Sequence, residues 1–359
     1  MLNNWLKIVP ATLAKQAASF PDDSIGKNLI LHQKEIPDLK KVKIALIGVG
    51  DKEANAVREQ LYMCTFPFPK AGVADLGNLR KPDATQLIPV IFELLSGKVL
   101  PIILGAKDDL AKAQFLAYQD AKALVNMVTV DEVFRREGVY GSLLNPRHKL
   151  LFNFGVLGLQ VHQTAPEALN YLSKNNFDLI RLGKSKAAIE ETEPVIRDAD
   201  LLTFHLSALK QSEAPGVAQA SPSGFFVEEA CQLSRYAGMS DKLSSFGIYG
   251  YVSELDRNSQ TAQVAAQMIW YFMDGYFNRK GDYPAGTGGL TEYVVDFRKL
   301  NYQLTFWKSK KSGRWWMQVP VQTKKSQERH RLIPCSFQDY QSACREELPD
   351  RLLQAFSRF

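Results

Sequence analysis

The sequence has few cysteines and no long apolar segment. Its 359 residues contain 4 cysteines, which are far apart and lack the Cys-x-x-Cys spacing of zinc and redox sites: Cys64, Cys231, Cys335 and Cys344. No run approaches the roughly 20 apolar residues that cross a bilayer. The first 20 residues lack the uninterrupted apolar core of an export signal. These absences argue against a disulfide scaffold and a transmembrane protein, and they predict a soluble, cytoplasmic protein with free thiols.

The charge of the chain is unevenly distributed. The formal net charge is +6, and residues 285–359 hold 13 Lys and Arg against 7 Asp and Glu, whereas the first 284 residues hold 31 of each sign. Hydrophobic residues make up 45% of the chain, which is enough for a large core. The basic character therefore belongs to the C-terminal segment.

Short apolar runs rich in β-branched residues alternate with amphipathic stretches, which is typical of β-α-β units around a parallel sheet. Helical spacing of apolar residues marks the amphipathic stretches. The pattern predicts a three-layer α/β domain over 42–284, preceded by an N-terminal segment, 1–41. The predicted strands are 42–49, 99–104, 125–130, 150–159, 179–182, 201–206 and 243–251, and the predicted helices are 52–63, 83–96, 108–123, 228–236 and 261–276.

The composition changes after Pro284, where Gly286, Gly288 and Gly289 predict a flexible joint. Alternating residues over 291–297, 302–307 and 315–321 predict an antiparallel meander, and 338–359 has a helical pattern. We therefore expect a basic, aromatic, β-rich extension over 285–359. Its basic and aromatic cluster either binds an acidic partner, RNA or a membrane face, or packs its tryptophans on the main domain, and we favour packing: Lys308, Lys310, Lys311, Arg314, Trp315 and Trp316.

Four segments follow one another in the order of a known set of motifs. They read PIILGAKDDL at 101–110, VTVDEVFR at 128–135, LTFHLSAL at 202–209 and FGIYGYVSELD at 246–256. Together with the Ala-Pro-Gly loop at 214–216, they resemble the motifs of the arginase, agmatinase and formiminoglutamase family, the ureohydrolases. The sequence around Trp315 and Trp316 is similar to that of a Bacteroidetes-type, formimidoylglutamase-like branch of this family. The resemblance implies an arginase-like α-β-α fold.

The resemblance also aligns the metal ligands of the family with particular residues. Asp108 stands where the family has a histidine ligand, and Asp131 keeps the first aspartate of the second motif. His205 and Ser207 stand at two further aspartate ligands, and Gly250 stands where the family has its substrate-binding glutamate. In the second motif, Val133 replaces a histidine and Arg135 replaces an aspartate, so only Asp131 of six aligned ligands is unchanged.

Ureohydrolases use two Mn²⁺ ions to activate a hydroxide, and such an ion pair needs several carboxylate ligands. Because Arg135 brings a permanent cation to this position, we expect Arg135, with Lys107, to neutralise Asp108 and Asp131 in place of metal. This pattern predicts a catalytically inactive binding or scaffold protein without a cofactor. Mn²⁺ is expected only if the chain is an enzyme.

Two alternatives remain open. The first is a hydrolase of a C–N bond in an amidine, guanidine or formimino substrate, with one metal at Asp108, Asp131 and His205 or with acid–base groups alone, including Asp109 and Glu132. The second is a sensor that binds a small ligand. A homo-oligomer or a protein partner is expected, with 285–359 as the candidate contact, while nothing in the sequence favours nucleic acid. An amidine-like ligand belongs to the enzyme alternative.

Overall fold

A computed structural model describes residues 2–68, 72–119, 124–141, 143–144, 150–284, 287–298, 301–325 and 327–359. In this part of the chain, a ten-stranded sheet has the order β1-β4-β3-β5-β10-β9-β6-β7-β8, with β2 also paired to β4. Every pair is parallel except β1 with β4, which confirms the predicted α/β class. The strands are β1 (Leu6–Lys7), β2 (Ile30–Leu31), β3 (Ile44–Gly48), β4 (Val73–Leu79), β5 (Leu100–Ala106), β6 (Val125–Val130), β7 (Leu151–Leu159), β8 (Asp178–Arg181), β9 (Leu201–His205) and β10 (Ser245–Tyr249).

Helices cover both faces of this sheet. The main helices are α1 (Ala11–Ser19), α2 (Ile25–Asn28), α3 (Asp51–Leu61), α4 (Ala84–Ser96), α5 (Ala111–Leu116), α6 (Pro166–Lys174), α7 (Leu182–Ala187), α8 (Glu193–Arg197), α9 (Val227–Met239) and α10 (Gln260–Phe277). One apolar core joins the sheet to α1, α3, α9 and α10, and a second core joins it to α4, α5 and α6. The central strands, such as β3, β5, β6, β9 and β10, are buried on both faces, which explains their continuous apolar runs.

The strand β4 was not predicted, because Asp75 and Asn78 interrupt its apolar pattern. In the structure Asp75 is fully buried and accepts a hydrogen bond of 2.7 Å from Arg58 Nε of α3. Tyr62 donates a further hydrogen bond of 2.8 Å to the same carboxylate. A buried ion pair with these partners satisfies the charge inside the sheet.

The C-terminal segment forms its own antiparallel sheet, as expected, but with four strands instead of three. Its strands are β11 (Leu290–Phe297), β12 (Tyr302–Ser309), β13 (Trp315–Gln318) and β14 (Leu332–Cys335), and its helices are α11 (Phe337–Cys344) and α12 (Asp350–Phe356). The helices cover one face of this sheet and enclose a separate apolar core. The unpredicted β14 contains Pro334 at the edge of the sheet, where a missing N–H group is tolerated.

The extension lies against the amino ends of the main parallel strands. Arg329 pairs with Asp200, just before β9, and Arg358 donates a hydrogen bond of 2.6 Å to Asp178, the first residue of β8. The ring of His330 stacks on Phe152 near the start of β7, with centroids 4.0 Å apart. The extension therefore covers the end of the sheet opposite the carboxyl ends of its strands.

Trp316 packs on the main domain, as the favoured interpretation predicted, whereas the ring of Trp315 packs inside the extension against Tyr293 and Tyr340. Trp316 is only 1% exposed, and the Arg197 guanidinium lies 4.4 Å from its ring centroid. Arg197 also donates hydrogen bonds of 3.1 Å to the carbonyls of Trp315 and Cys335. Lys310 and Lys311 remain exposed on the turn.

Among the helices in the described part of the chain, none combines the length and the apolar character that a membrane span requires.

Candidate functional site at the carboxyl ends of four strands

The fold brings the predicted site residues to one edge of the sheet. Strands β5, β10, β9 and β6 are neighbours in that order. Their carboxyl ends lead into Asp108, Gly250, His205 and Asp131, respectively. Ligands of open α/β sheets bind at such carboxyl ends. A cavity of about 240 Å³ opens here, and these four residues line it together with Glu132, Val133, Arg135, Tyr140 and Ser207.

His205 is the centre of the hydrogen-bond network in this cavity. Its Nδ1–H donates to Asp108 Oδ1 over 2.7 Å, and its Nε2 shares a short hydrogen bond with the hydroxyl of Tyr140. The same hydroxyl lies 2.9 Å from Thr203 Oγ1 and 3.1 Å from Thr129 Oγ1. Both ring nitrogens of His205 are therefore occupied by side chains of the protein.

Charges in the network favour an ion pair. Burial alone would lower the pKa of His205, but the charge of Asp131 and the hydrogen bond to Asp108 outweigh it and raise that pKa above the ordinary value. Burial would raise the pKa of Asp108, yet the hydrogen bond from His205 holds it below the ordinary value. The Asp108 side chain is 58% exposed and that of His205 only 3%. The pair therefore extends from the solvent-exposed side of the site to a buried position.

Asp131 and Glu132 place two further carboxylates in the cavity. Asp131 accepts a hydrogen bond of 3.3 Å from the backbone N–H of Val133, and burial raises its pKa. Burial and then the neighbouring charge of Asp131 raise the pKa of Glu132 to about 7. Gln163 donates a hydrogen bond of 3.3 Å to Glu132. The cavity thus contains acid and base groups with altered proton affinities.

Arg135 does not occupy the position that the sequence suggested. We expected Arg135 and Lys107 to neutralise Asp108 and Asp131, but both cations are exposed and neither forms an ion pair with these aspartates in the described residues. His205 is the direct partner of Asp108. Arg135 affects Asp108 only as a more distant charge at the mouth of the cavity. The path of the chain explains this difference, because the residues after Phe134 turn out towards solvent whereas His205 ends a buried strand.

Tyr140 was not predicted as a site residue. It follows Asp131 by nine positions, in a segment whose apolar residues have neither helical nor strand periodicity. No local sequence pattern therefore predicts its role. Only the return of this loop across the ends of β6 and β9 brings its hydroxyl to His205. Ser207 and Val133 also line the cavity, and no hydrogen bond of the Ser207 hydroxyl is found within the described ranges.

The residues that directly follow the Ala-Pro-Gly loop, 217–219, form part of the cavity wall. The N–H of Gly216 donates to Thr261 Oγ1 over 2.7 Å, and its carbonyl accepts a hydrogen bond of 2.9 Å from Val252. Beyond Gly250 lies a second cavity of about 670 Å³, which shares Asp108, Ala218 and Gly250 with the first. The site therefore has two adjoining chambers.

Comparisons with known proteins agree with this fold. The sequence profile described as Arginase family matches residues 147–274. The formimidoylglutamase of Staphylococcus haemolyticus is 23% identical over 201 residues, which cover 50% of this chain and 64% of that protein. That of Ralstonia nicotianae is 26% identical over 241 residues, which cover 58% and 73%. The chain thus spans less than two thirds of the S. haemolyticus protein.

Solved structures show the same architecture. The formiminoglutamase of Trypanosoma cruzi with Mn²⁺ superposes with a TM-score of 0.61 at 16% identity, covering 68% of this chain and 97% of that one. The formimidoylglutamase of Bacillus subtilis gives a TM-score of 0.58 at 16% identity, covering 75% and 99%. At these identities the superpositions establish the arginase-like fold.

The expectation of no cofactor is wrong for proteins with this fold. The T. cruzi formiminoglutamase structures contain Mn²⁺. The profile match over 147–274, the curated relatives and the shared architecture thus agree that this chain is similar to the arginase, or ureohydrolase, family and has its fold.

Proposed function

We propose that this chain is a binding protein on an arginase-like fold, which recognises a small ligand in its cavity without hydrolysing it. The observation that carries the proposal is the hydrogen-bonded series Asp108–His205–Tyr140. In this series Asp108 and His205, two of the three candidate metal ligands, are hydrogen-bonded to each other. The remaining position, Asp131, has no carboxylate partner at Val133 or Arg135 to share a metal ion.

The fit of the side chains to manganese supports the same proposal. In the portion of the chain that the structure describes, no group of three or more His, Cys, Asp or Glu side chains could hold a metal ion. Val133 offers no donor atom, and Arg135 is a cation. Neither residue therefore supplies a ligand for Mn²⁺ beside Asp131.

The experiment is an assay of turnover in the presence of Mn²⁺. The purified chain is incubated with arginine, agmatine or N-formimino-L-glutamate, and the release of urea, ammonia or formamide is measured. An active formimidoylglutamase is assayed in parallel as the positive control. The proposal predicts no release above the buffer blank. Release that disappears in the variants Asp131→Asn and His205→Asn would overturn it.

A hydrolase of C–N bonds is the second candidate function. It is favoured by Glu132, a buried carboxyl whose pKa of about 7 suits general acid–base catalysis, in the same cavity as His205. This hypothesis predicts turnover that Glu132→Gln removes. The variant Asp109→Asn is the matched control, because Asp109 is exposed and lines only the second cavity, the one of about 670 Å³.

A homo-oligomer or a protein partner contacting residues 285–359 remains part of the proposal, as does a cytoplasmic location. Four large apolar side chains of this segment are about half exposed, which suits such a contact: Val294, Phe337, Leu353 and Phe356. Light scattering of the purified chain measures its mass directly. The monomer mass at every concentration would contradict the oligomer.

A further inference from the structure

We propose that the outer edge of β11 binds a partner protein by strand addition, and that the added segment is an extended chain with two basic residues four positions apart. The inference rests on the proposed protein contact of residues 285–359, and it names the contact surface and the chemistry of the partner. It does not depend on the cavity beside His205.

The two edge strands of the C-terminal sheet differ in how they are covered. β14 has four residues, contains Pro334 and contacts α8 of the main domain, and the carbonyl of Cys335 accepts a hydrogen bond of 3.1 Å from Arg197. β11 has eight residues without a proline or a bulge, and no strand in the described residues pairs with its outer side. The outer side of β11 therefore presents backbone N–H and C=O groups to which an extended chain can add.

One face of β11 is covered by the core of the extension. The ring of Tyr293 lies 4.9 Å from that of Trp315 and 5.7 Å from that of Tyr340 on α11, measured between centroids. Val295 and Phe297 are buried in the same apolar core. This packing already holds β11 in an extended conformation, so the addition of a chain does not require the edge itself to become ordered.

The other face of β11 has an acid, an apolar and a second acid side chain in alternation. Glu292, Val294 and Asp296 share this face because successive side chains of a strand point to opposite sides. All three are exposed, Val294 by 51%. No ion pair among the described residues includes Glu292 or Asp296, and the amide of Gln303, which donates to Asp296 over 2.7 Å, is neutral. This edge is therefore locally acidic, although the extension as a whole is basic.

The two acids determine which chain pairs well with this edge. In an antiparallel pair, side chains directly opposite each other have Cβ atoms only about 4.5–5.5 Å apart, so opposite charges stabilise the pair and like charges destabilise it. A second copy paired about Val294 would set Glu292 against Asp296. A segment with Lys or Arg four positions apart and an apolar residue midway matches Glu292, Val294 and Asp296 instead. The charges thus favour a basic partner and oppose this pairing of β11 with itself.

Fluorescence polarisation of a labelled peptide added to the full chain tests the proposal. The probe is the peptide Thr-Lys-Thr-Val-Thr-Lys-Thr, which has the proposed spacing of basic residues. One control peptide has Glu in place of both Lys, and the other keeps the Lys residues but has N-methylated backbone amides, which cannot donate to a strand. We expect saturable binding of the probe, at least about tenfold tighter than that of either control.

Variants of the chain separate strand addition at β11 from general attraction of charge. The double variant Glu292→Lys, Asp296→Lys should bind the Lys peptide at least about tenfold more weakly and should prefer the Glu peptide. Glu347→Lys, at an exposed acid of the extension outside β11, should keep the wild-type affinity. Circular dichroism checks folding, and the two single variants replace the double variant if it is unstable.

Four results would overturn the proposal. These are no saturable binding of the Lys peptide below about 1 mM, equal binding of the N-methylated peptide, unchanged affinity in the charge-reversed variant, or a dimer that Val294→Lys dissociates. The last result would make a second copy the occupant of the edge, but it would leave the proposed contact of residues 285–359 in place. Light scattering of the same samples therefore distinguishes failure of the strand addition from failure of that contact.

Discussion

The carboxylate of Asp108 occupies the space into which a side chain on Gly250 would extend. A Cβ on residue 250 would lie 2.7 Å from Asp108 Oδ1, closer than van der Waals contact allows. The backbone of Gly250 also has φ of +83°, which L-residues with side chains rarely adopt. The position of the Asp108 carboxylate beside His205 thus requires a residue without a side chain at position 250.

We expect Gly250→Ala to lower the free energy of unfolding by about 1–3 kcal/mol, through strain at positive φ and through the contact with Asp108. Urea denaturation measures the change. Gly183→Ala is the matched control, because nothing lies within 4 Å of its new Cβ in α7, and it should be neutral or stabilising. Adding Asp108→Ala should recover the part of the loss that comes from the contact. If Asp108→Ala restores no stability, the whole loss in the free energy of unfolding comes from the strained backbone at residue 250.

Removing either neighbouring acid should lower the pKa of His205. Asp131 and Asp108 both stabilise its protonated form against burial. In Asp131→Asn and Asp108→Asn, burial is opposed by one acid instead of two, so the imidazole loses its proton at lower pH. NMR titration of the His205 ring detects the shift. Asp109→Asn should leave the titration in place, and an unchanged curve in both test variants would contradict the network.

His330 should make the fold less stable in acid. Burial lowers its pKa to about 2, and its ordinary value is 6.5. Since the unfolded chain binds this proton and the folded chain does not, stability is complete above about pH 6.5 and falls as the pH decreases, by up to about 1.4 kcal/mol per pH unit. His330→Phe keeps the ring stacked on Phe152 and removes the titration.

Urea denaturation between pH 7 and 4 tests this prediction. The free energy of unfolding of His330→Phe should fall less steeply with acid than that of the wild type. His162→Asn, at an exposed histidine, should keep the wild-type slope. Equal slopes for the wild type and His330→Phe would show that His330 takes up its proton in the folded state.

Trp316→Ala should detach the extension from the main domain or destabilise the whole chain by about 3–5 kcal/mol, because a fully buried tryptophan and its contact with Arg197 are lost. Trp307→Ala on β12 gives the comparison, since Trp307 is only half-buried and should cost less. Thermal unfolding followed by tryptophan fluorescence measures both. Similar small losses would mean that the extension holds to the main domain through its ion pairs.

Much of the main domain could be predicted from sequence periodicity. Runs such as β3 and β5 are apolar throughout because both faces of the sheet are covered, and this local signal predicts strands with little help from the rest of the chain. β4 could not be predicted in the same way. Asp75 is acceptable in a buried strand only because Arg58 of α3 and Tyr62 at the end of that helix donate hydrogen bonds to its carboxylate.

The sequence by itself determined the alternation of strands and helices, the acids and the histidine that follow particular strands, and the valine and arginine at positions 133 and 135. Only the tertiary structure decided that His205, and not Arg135, pairs with Asp108, and that Tyr140 completes the network. The physical reason is that periodicity records whether a residue is buried. The pairing of two side chains 97 positions apart depends on strand order and on the path of the connecting loops.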